Sequence, residues 1–376
     1  MSHSRVNAGP LACRRKYSDR AELISSHPPG GSLEIIFLQV LHLQTFRLNA
    51  QSLPPQVLIS EVGPRDGLQS IHALMPTPAK LAWLDALHAS GIAEIEVGSF
   101  VPAKLLPQLA DTPTLVQHAV QHTGWTVMAL VPNLRGAEAA MQSGVHKITI
   151  PVSASPAHSM ANVRKTPEDM VLEVQRIIAL KNTIAPHVRV EAGVATAFGC
   201  TLQGAVPESD VMRLAQALAD AGADEVGLSD TTGMAHPAQI KRMFHQMRQH
   251  LGDRTGAAHL HNTRGLGLAN CLAAYEAGVT TFDSSQGGLG GCPYAPGASG
   301  NVVTEDLVFM FESMGVHTGI DLERLFAARE VLSAGVPQEP LHGMTPLAGL
   351  TLGFVYADGR RPRSPAQPPT SQGKAS

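Results

Sequence analysis

The chain has 376 residues, 44% of them hydrophobic and only 16% charged, with a formal net charge of −3. That length allows one large domain or two ordinary ones, and the charge balance offers no basic surface for nucleic acid. The low charged fraction suits a barrel or a buried parallel sheet better than a helical bundle.

The first 55 residues differ from the rest. Arg14, Arg15, Lys16 and Arg20 cluster there, ahead of an apolar run from Leu33 to Phe46. Glu34, Gln39, His42 and Gln44 interrupt that run, so it is too short and too polar to span a bilayer. It also lacks the small-residue cleavage site of a signal peptide. Residues 1–55 therefore read as a loosely ordered extension.

From residue 56 the chain repeats one pattern. Short β-branched runs alternate with helical stretches: VLISEV (57–62), AEIEVG (93–98), TVMALV (126–131), KITIPV (147–152), VRVEAG (188–193), DEVGLS (224–229), GAAHLH (256–261) and TTFDSS (280–285). Four of them follow a glycine in a small motif, SGI (90–92), SGV (143–145), AGA (221–223) and AGV (277–279), the mark of a helix C-cap before a strand. Eight such units predict a (β/α)₈ barrel over 56–318. A doubly wound open sheet is the alternative, but no G-x-G-x-x-G follows the first strand. Residues 319–357 read as a C-terminal helical segment packed on the barrel. The tail, 358–376, is rich in Pro, Ser, Gln and Arg and reads as disordered.

The four cysteines, Cys13, Cys200, Cys271 and Cys292, form no C-x-x-C pair, so neither a disulfide framework nor a structural zinc site is predicted, and a reduced, cytoplasmic setting is expected. Cys271 lies in a helical stretch and reads as core. Cys200 falls just past strand five.

In such barrels the active site lies at the C-terminal ends of the strands. Collecting polar residues there yields Arg65 and Asp66 after strand one, Glu96 on strand two, Asp230 after strand six, His259 and His261 on strand seven, and Cys292 and Asn301 beyond strand eight. His259 and His261 are two apart on a strand, so they share a face. With Asp66 and Asn301 they make a divalent metal site; hard oxygen ligands favour Mg²⁺ or Mn²⁺, although two imidazoles and a carboxylate also suit Fe²⁺ or Zn²⁺. Each residue has a plainer reading. The histidines could be ordinary barrel residues, Asp230 a turn cap, and Glu96 a structural ion-pair partner.

The motifs EVGPRDGLQ (61–69), the Glu96–Phe100 E-x-x-S-F, GLSDTTG (227–233), HLHNTRG (259–265) and GGLGGCPYAPGASGN (287–301) resemble those of the hydroxymethylglutaryl-CoA lyases, over about residues 57–356. The resemblance implies an acyl-CoA substrate and metal-assisted retro-Claisen cleavage to acetyl-CoA and acetoacetate, the chemistry of leucine degradation and ketone body formation. It implies metal binding by Asp66, His259, His261 and Asn301, and a substrate-carbonyl contact by Arg65. It further implies a catalytic loop cysteine at Cys292 and a second carboxylate pair in Glu96 and Asp230. A homo-oligomer, dimer or larger, is compatible with it. The chain departs from the family's animal members at Asn262 and Arg264, where those have aspartate and tyrosine. The added Arg264 could contact a substrate carboxylate or a CoA phosphate, or pair nearby and only support its loop. Citramalyl-CoA would suit the same machinery, and a condensing synthase is a more distant alternative.

Overall fold

A computed structural model describes residues 56–290 and 300–363. The 1–55 extension, Cys292 with the rest of 291–299, and the tail from residue 364 lie outside the described residues.

Eight strands form the centre: β1 (Leu58–Glu61), β2 (Glu94–Ser99), β3 (Thr126–Leu130), β4 (Lys147–Ser153), β5 (Arg189–Ala195), β6 (Glu225–Ser229), β7 (Thr255–His259) and β8 (Thr281–Ser284). They close in sequence order, and every neighbouring pair is parallel, including β1 with β8. This is the (β/α)₈ barrel expected from the alternation. Around it run α1 (Thr77–Ala89), α2 (Thr112–Ala119), α3 (Leu134–Ser143), α4 (Pro156–Val163), α5 (Pro167–Ile184), α6 (Glu208–Asp220), α7 (Pro237–Leu251) and α8 (Gly267–Glu276). Then come α9 (Thr304–Ser313), α10 (Leu322–Gly335) and α11 (Met344–Ala348).

The helices start and stop for local reasons. Asn133 caps α3 by accepting the Gly136 N–H, and Thr166 and Asp169 form a reciprocal capping box on α5. The four motif glycines, Gly91, Gly144, Gly222 and Gly278, all adopt positive φ, which turns the chain out of a helix at no steric cost. Beyond the barrel, α10 is tied to the end of α1: Asp321 N–H donates to Ser90 O and Arg324 to Ala89 O, each at 2.8 Å. Tyr356 Oη accepts the Leu322 N–H at 2.9 Å. Ordered chain continues past the compositional start of the tail, with Tyr356 N–H donating to Arg360 O at 2.9 Å.

Strand parity divides the residues between two cores. Ile95 and Val97 of β2 are fully buried in the hydrophobic core, as are Trp83, Leu84 and Leu87 of α1. Their neighbours Glu94 and Glu96 have the opposite parity and face the barrel axis. At the lower level Lys147 Nζ contacts Glu191 at 2.6 Å, Glu225 at 2.9 Å and Glu94 at 3.4 Å. A buried ammonium is costly alone, and three carboxylates around it overcome the burial and hold it protonated. This charged layer floors the cavity above it.

Candidate active site

The cavity has a volume of about 810 Å³ and opens at the C-terminal ends of the strands. That volume is in the range of small-molecule sites. Its deep wall comprises axis-facing residues of the strands, among them Glu96, Thr149, Gly193, Gly227, His259 and Asp283. Gly193 and Gly227 leave space where larger residues would fill the barrel. A Cβ on Gly227 would stand 2.7 Å from Ala257 O.

Arg65 and Asp66 ride on a tight π-helical turn, Gly63–Gly67, after β1. The Val62 carbonyl accepts from both Arg65 and Asp66 N–H, at 3.1 and 2.7 Å. Gly63 is required there, because a Cβ would meet Glu61 Oε1 at 2.5 Å. The turn aims both side chains inward. Arg65 Nε donates to Glu96 Oε2 and its NH1 to Asp66 Oδ1, both at 2.5 Å. Thr149 Oγ1 donates to the other Glu96 oxygen. The guanidinium is thus gripped by two carboxylates.

His259 and His261 converge as their spacing predicts, with Nε2 atoms 3.1 Å apart. Asp66 Oδ2 stands 3.8 Å from His259 Nε2 and 4.0 Å from His261 Nε2. Asn301 is brought in by a bridge to His261, and its Nδ2 donates to Asp66 Oδ2 at 2.7 Å. Burial opposes ionisation of Asp66, but Arg65 first, then the two histidines and Asn301, hold its carboxyl well below the usual range. Burial also resists protonation of His259, and the Asp283 hydrogen bond and charge outweigh it and raise its pKa. His261 is lowered to about 4, by burial and then by His259. Among the described residues, Asp66, His259 and His261 place one ligand atom each within 4.8 Å of one another. Asn301 Oδ1 is buried without a partner. Two ligands at right angles about a metal at 2.1 Å would stand about 3.0 Å apart, close to the histidine spacing. The donor set therefore fits a divalent cation.

Two residues selected from the sequence are bonded to backbone of the loop after β6. Asp230 does not line the cavity; its Oδ1 accepts the Met234 and Ala235 N–H groups at 2.8 and 3.2 Å. It caps the turn after β6, and burial raises its carboxyl to about 6. Arg264, assigned to substrate, instead donates through NH1 to Thr232 O and Gly233 O at 2.9 and 2.6 Å. Two carbonyls of the adjacent loop thus hold one end of the guanidinium, and Arg264 is not among the residues lining the cavity. Cys200 and Cys271 are fully buried in the hydrophobic core.

Asp283 was missed by the sequence reading. Its Oδ2 lies 3.0 Å from His259 Nδ1, and it lines the cavity. The available signal was parity: in TTFDSS, Asp283 has the axis-facing phase, and β7–β8 pairing sets it against His259.

The chain matches the HMGL-like family model over residues 56–332. A hydroxymethylglutaryl-CoA lyase of Bacillus subtilis is 39% identical over 275 residues, 73% of this chain and 91% of that one. An (R)-citramalyl-CoA lyase of Chloroflexus aurantiacus is 36% identical over 303 residues, 78% of this chain and 95% of that one. A solved HMG-CoA lyase from Acinetobacter baumannii, in complex with coenzyme A and 3-methylmalate, superposes with a TM-score of 0.73 at 38% identity, covering 78% of this chain and 95% of that one. Fold, motif positions and matches over most of both chains agree: the chain belongs to the HMGL-like family.

Proposed function

We propose that the chain is a carbon–carbon lyase that cleaves (S)-3-hydroxy-3-methylglutaryl-CoA to acetyl-CoA and acetoacetate. The convergence of Asp66, His259 and His261 beside Arg65 in one cavity carries this reading. Asp66, His259, His261 and Asn301 would hold Mg²⁺ or Mn²⁺, which supplies Lewis acidity toward the C3 hydroxyl and a substrate carboxylate oxygen.

The chain's own residues do the rest. Loss of the C3 hydroxyl proton is assigned to a base at the metal site, Asp66 or His261. As the proton leaves, C3 becomes the ketone of acetoacetate. The C2–C3 bond breaks, and its electron pair passes into the thioester as an enolate. Arg65 offers fixed positive charge to that oxygen, and Glu96 and Asp66 restrain the guanidinium so that little reorganisation is needed. Cys292 returns a proton to C2, giving acetyl-CoA. This role rests on the loop motif, whose described ends, Gly290 and Asn301, stand within contact distance of each other at the site. A thiol with an ordinary pKa of about 8.5 lies near enough to neutrality for such transfer.

The citramalyl-CoA relative supports a second acyl chain for the same machinery. One experiment tests both readings. Purified protein with Mg²⁺ is incubated with a panel of 3-hydroxyacyl-CoA thioesters, and products are identified by mass spectrometry. Acetyl-CoA with acetoacetate is expected, and Cys292→Ala should lower kcat by about 10²–10⁴. No cleavage of any thioester would overturn the reading.

A further inference from the structure

A second group of metal-competent side chains lies on the outer surface of the barrel, away from the cavity lining. Asp85 sits on α1 and His118 on α2, two helices that pack against each other. His122 follows in the turn after α2, one helical turn beyond His118, because the Val120, Gln121 and His122 N–H groups continue helix-like bonds. The i, i+4 spacing therefore places both imidazoles on one side. Gly124, at φ +77°, then reverses the chain into β3.

The cluster is built rather than accidental in its packing. Asp85 Oδ1 takes His118 Nε2 at 2.6 Å and His122 Nε2 at 2.9 Å. One ligand atom from each of the three lies within 4.8 Å of the others. His88, on the next turn of α1 after Asp85, lies against the His122 ring at 4.5 Å between centroids. Its Nε2 is 3.3 Å from Thr123 O. Trp125 stands edge-on to His122 at 5.5 Å and also packs on His88 at 5.1 Å. His88 and Trp125 thus pack on the His122 ring, whose Nε2 meets Asp85.

We propose that Asp85, His118 and His122 bind one transition-metal cation of the zinc type, clamping α1 to α2. Two imidazoles and one carboxylate suit zinc and its neighbours, whereas Mg²⁺ and Ca²⁺ require a more oxygen-rich set. Three protein ligands leave a fourth position for water. Tetrahedral ligands about 2.0–2.1 Å from zinc stand about 3.3 Å apart. The two contacts to Asp85 are hydrogen-bond distances, so cation entry replaces the bridging protons and opens each contact by about half an ångström. The Asp85 side chain is 50% exposed and the histidines 33% and 26%, so the carboxylate has room to swing and the cation can enter from bulk water.

The full chain carrying Asp66→Ala/His261→Ala, which removes two cavity ligands, is dialysed against Zn²⁺ with excess Mg²⁺, and bound zinc is measured by atomic emission. It should retain one zinc per chain, and adding His118→Asn/His122→Asn should release it. As a second measurement, His118→Asn/His122→Asn alone should bind one zinc fewer than the wild-type protein while keeping its circular dichroism and its lyase turnover in Mg²⁺. Zinc should also raise the Tm of the Asp66→Ala/His261→Ala protein but not that of the fourfold variant. Equal zinc content with and without His118 and His122 would overturn the proposal and leave the cluster as a surface ion pair.

Discussion

Asp283 touches the catalytic constellation through one contact, Oδ2 to His259 Nδ1 at 3.0 Å. That contact fixes the imidazole plane and tautomer, leaving Nε2 as the inward atom. Asp283→Asn keeps the shape but removes the charge, and Asp283→Ala removes both. A hydrogen bond to a charged group contributes about 1.5–3 kcal/mol. The Asp283 side chain is only 15% exposed, so solvent screens this little. Partners behind a ligating histidine typically change metal affinity about 10–100-fold, or about 1.4–2.7 kcal/mol, which agrees with the hydrogen-bond figure. The expected result is a half-saturating Mn²⁺ concentration raised about 10-fold in Asp283→Asn and toward about 100-fold in Asp283→Ala. The assay is turnover against Mn²⁺ concentration, with direct Mn²⁺ binding by calorimetry. Saturating Mn²⁺ should restore most of kcat, because Asp283 acts through His259 and not on the substrate. An unchanged Mn²⁺ dependence in both variants would refute the argument, and so would a kcat that saturating Mn²⁺ leaves low.

Two further outcomes are expected. Arg264→Ala leaves the part-buried Thr232 and Gly233 carbonyls without this donor, so thermal unfolding should show a loss of about 1 kcal/mol. The ratio of kcat/KM between hydroxymethylglutaryl-CoA and citramalyl-CoA should stay the same, and a changed ratio would return the guanidinium to the substrate. Glu61, buried under the Gly63–Gly67 turn, has its carboxyl raised by burial from 4.5 to about 8. The folded state therefore retains a proton that the unfolded chain has released, and stability falls as pH rises from 4.5 to about 8. Glu61→Gln should remove that slope, so its Tm relative to wild type should improve steadily across the window; a difference that does not vary with pH would show that Glu61 is ionised in the fold.

Much of the architecture was legible in the sequence because a barrel repeats one local solution. Each strand had to be short and apolar, and Gly91, Gly144, Gly222 and Gly278 had to supply left-handed helix ends, whatever the rest of the chain did. The site was legible for a related reason. Arg65, Asp66, His259, His261 and Asn301 are polar residues at the ends of apolar strands, and barrel closure brings such ends to one face. Asp230 met the same criterion, but its carboxylate accepts two backbone N–H groups of its own turn. The direction of Arg264 likewise depends on two carbonyls of a loop remote in sequence.

By itself the sequence determined the order of elements, the parity of each strand and which side chains could do chemistry, since these follow from local sterics and the two-residue period of a strand. The tertiary structure decided which of those side chains meet. Only the register of β7 on β8 sets Asp283 behind His259, and only closure of the barrel gathers Glu94, Glu191 and Glu225 around Lys147. Those contacts join residues far apart in the chain, and their strength comes from burial, which no local pattern encodes.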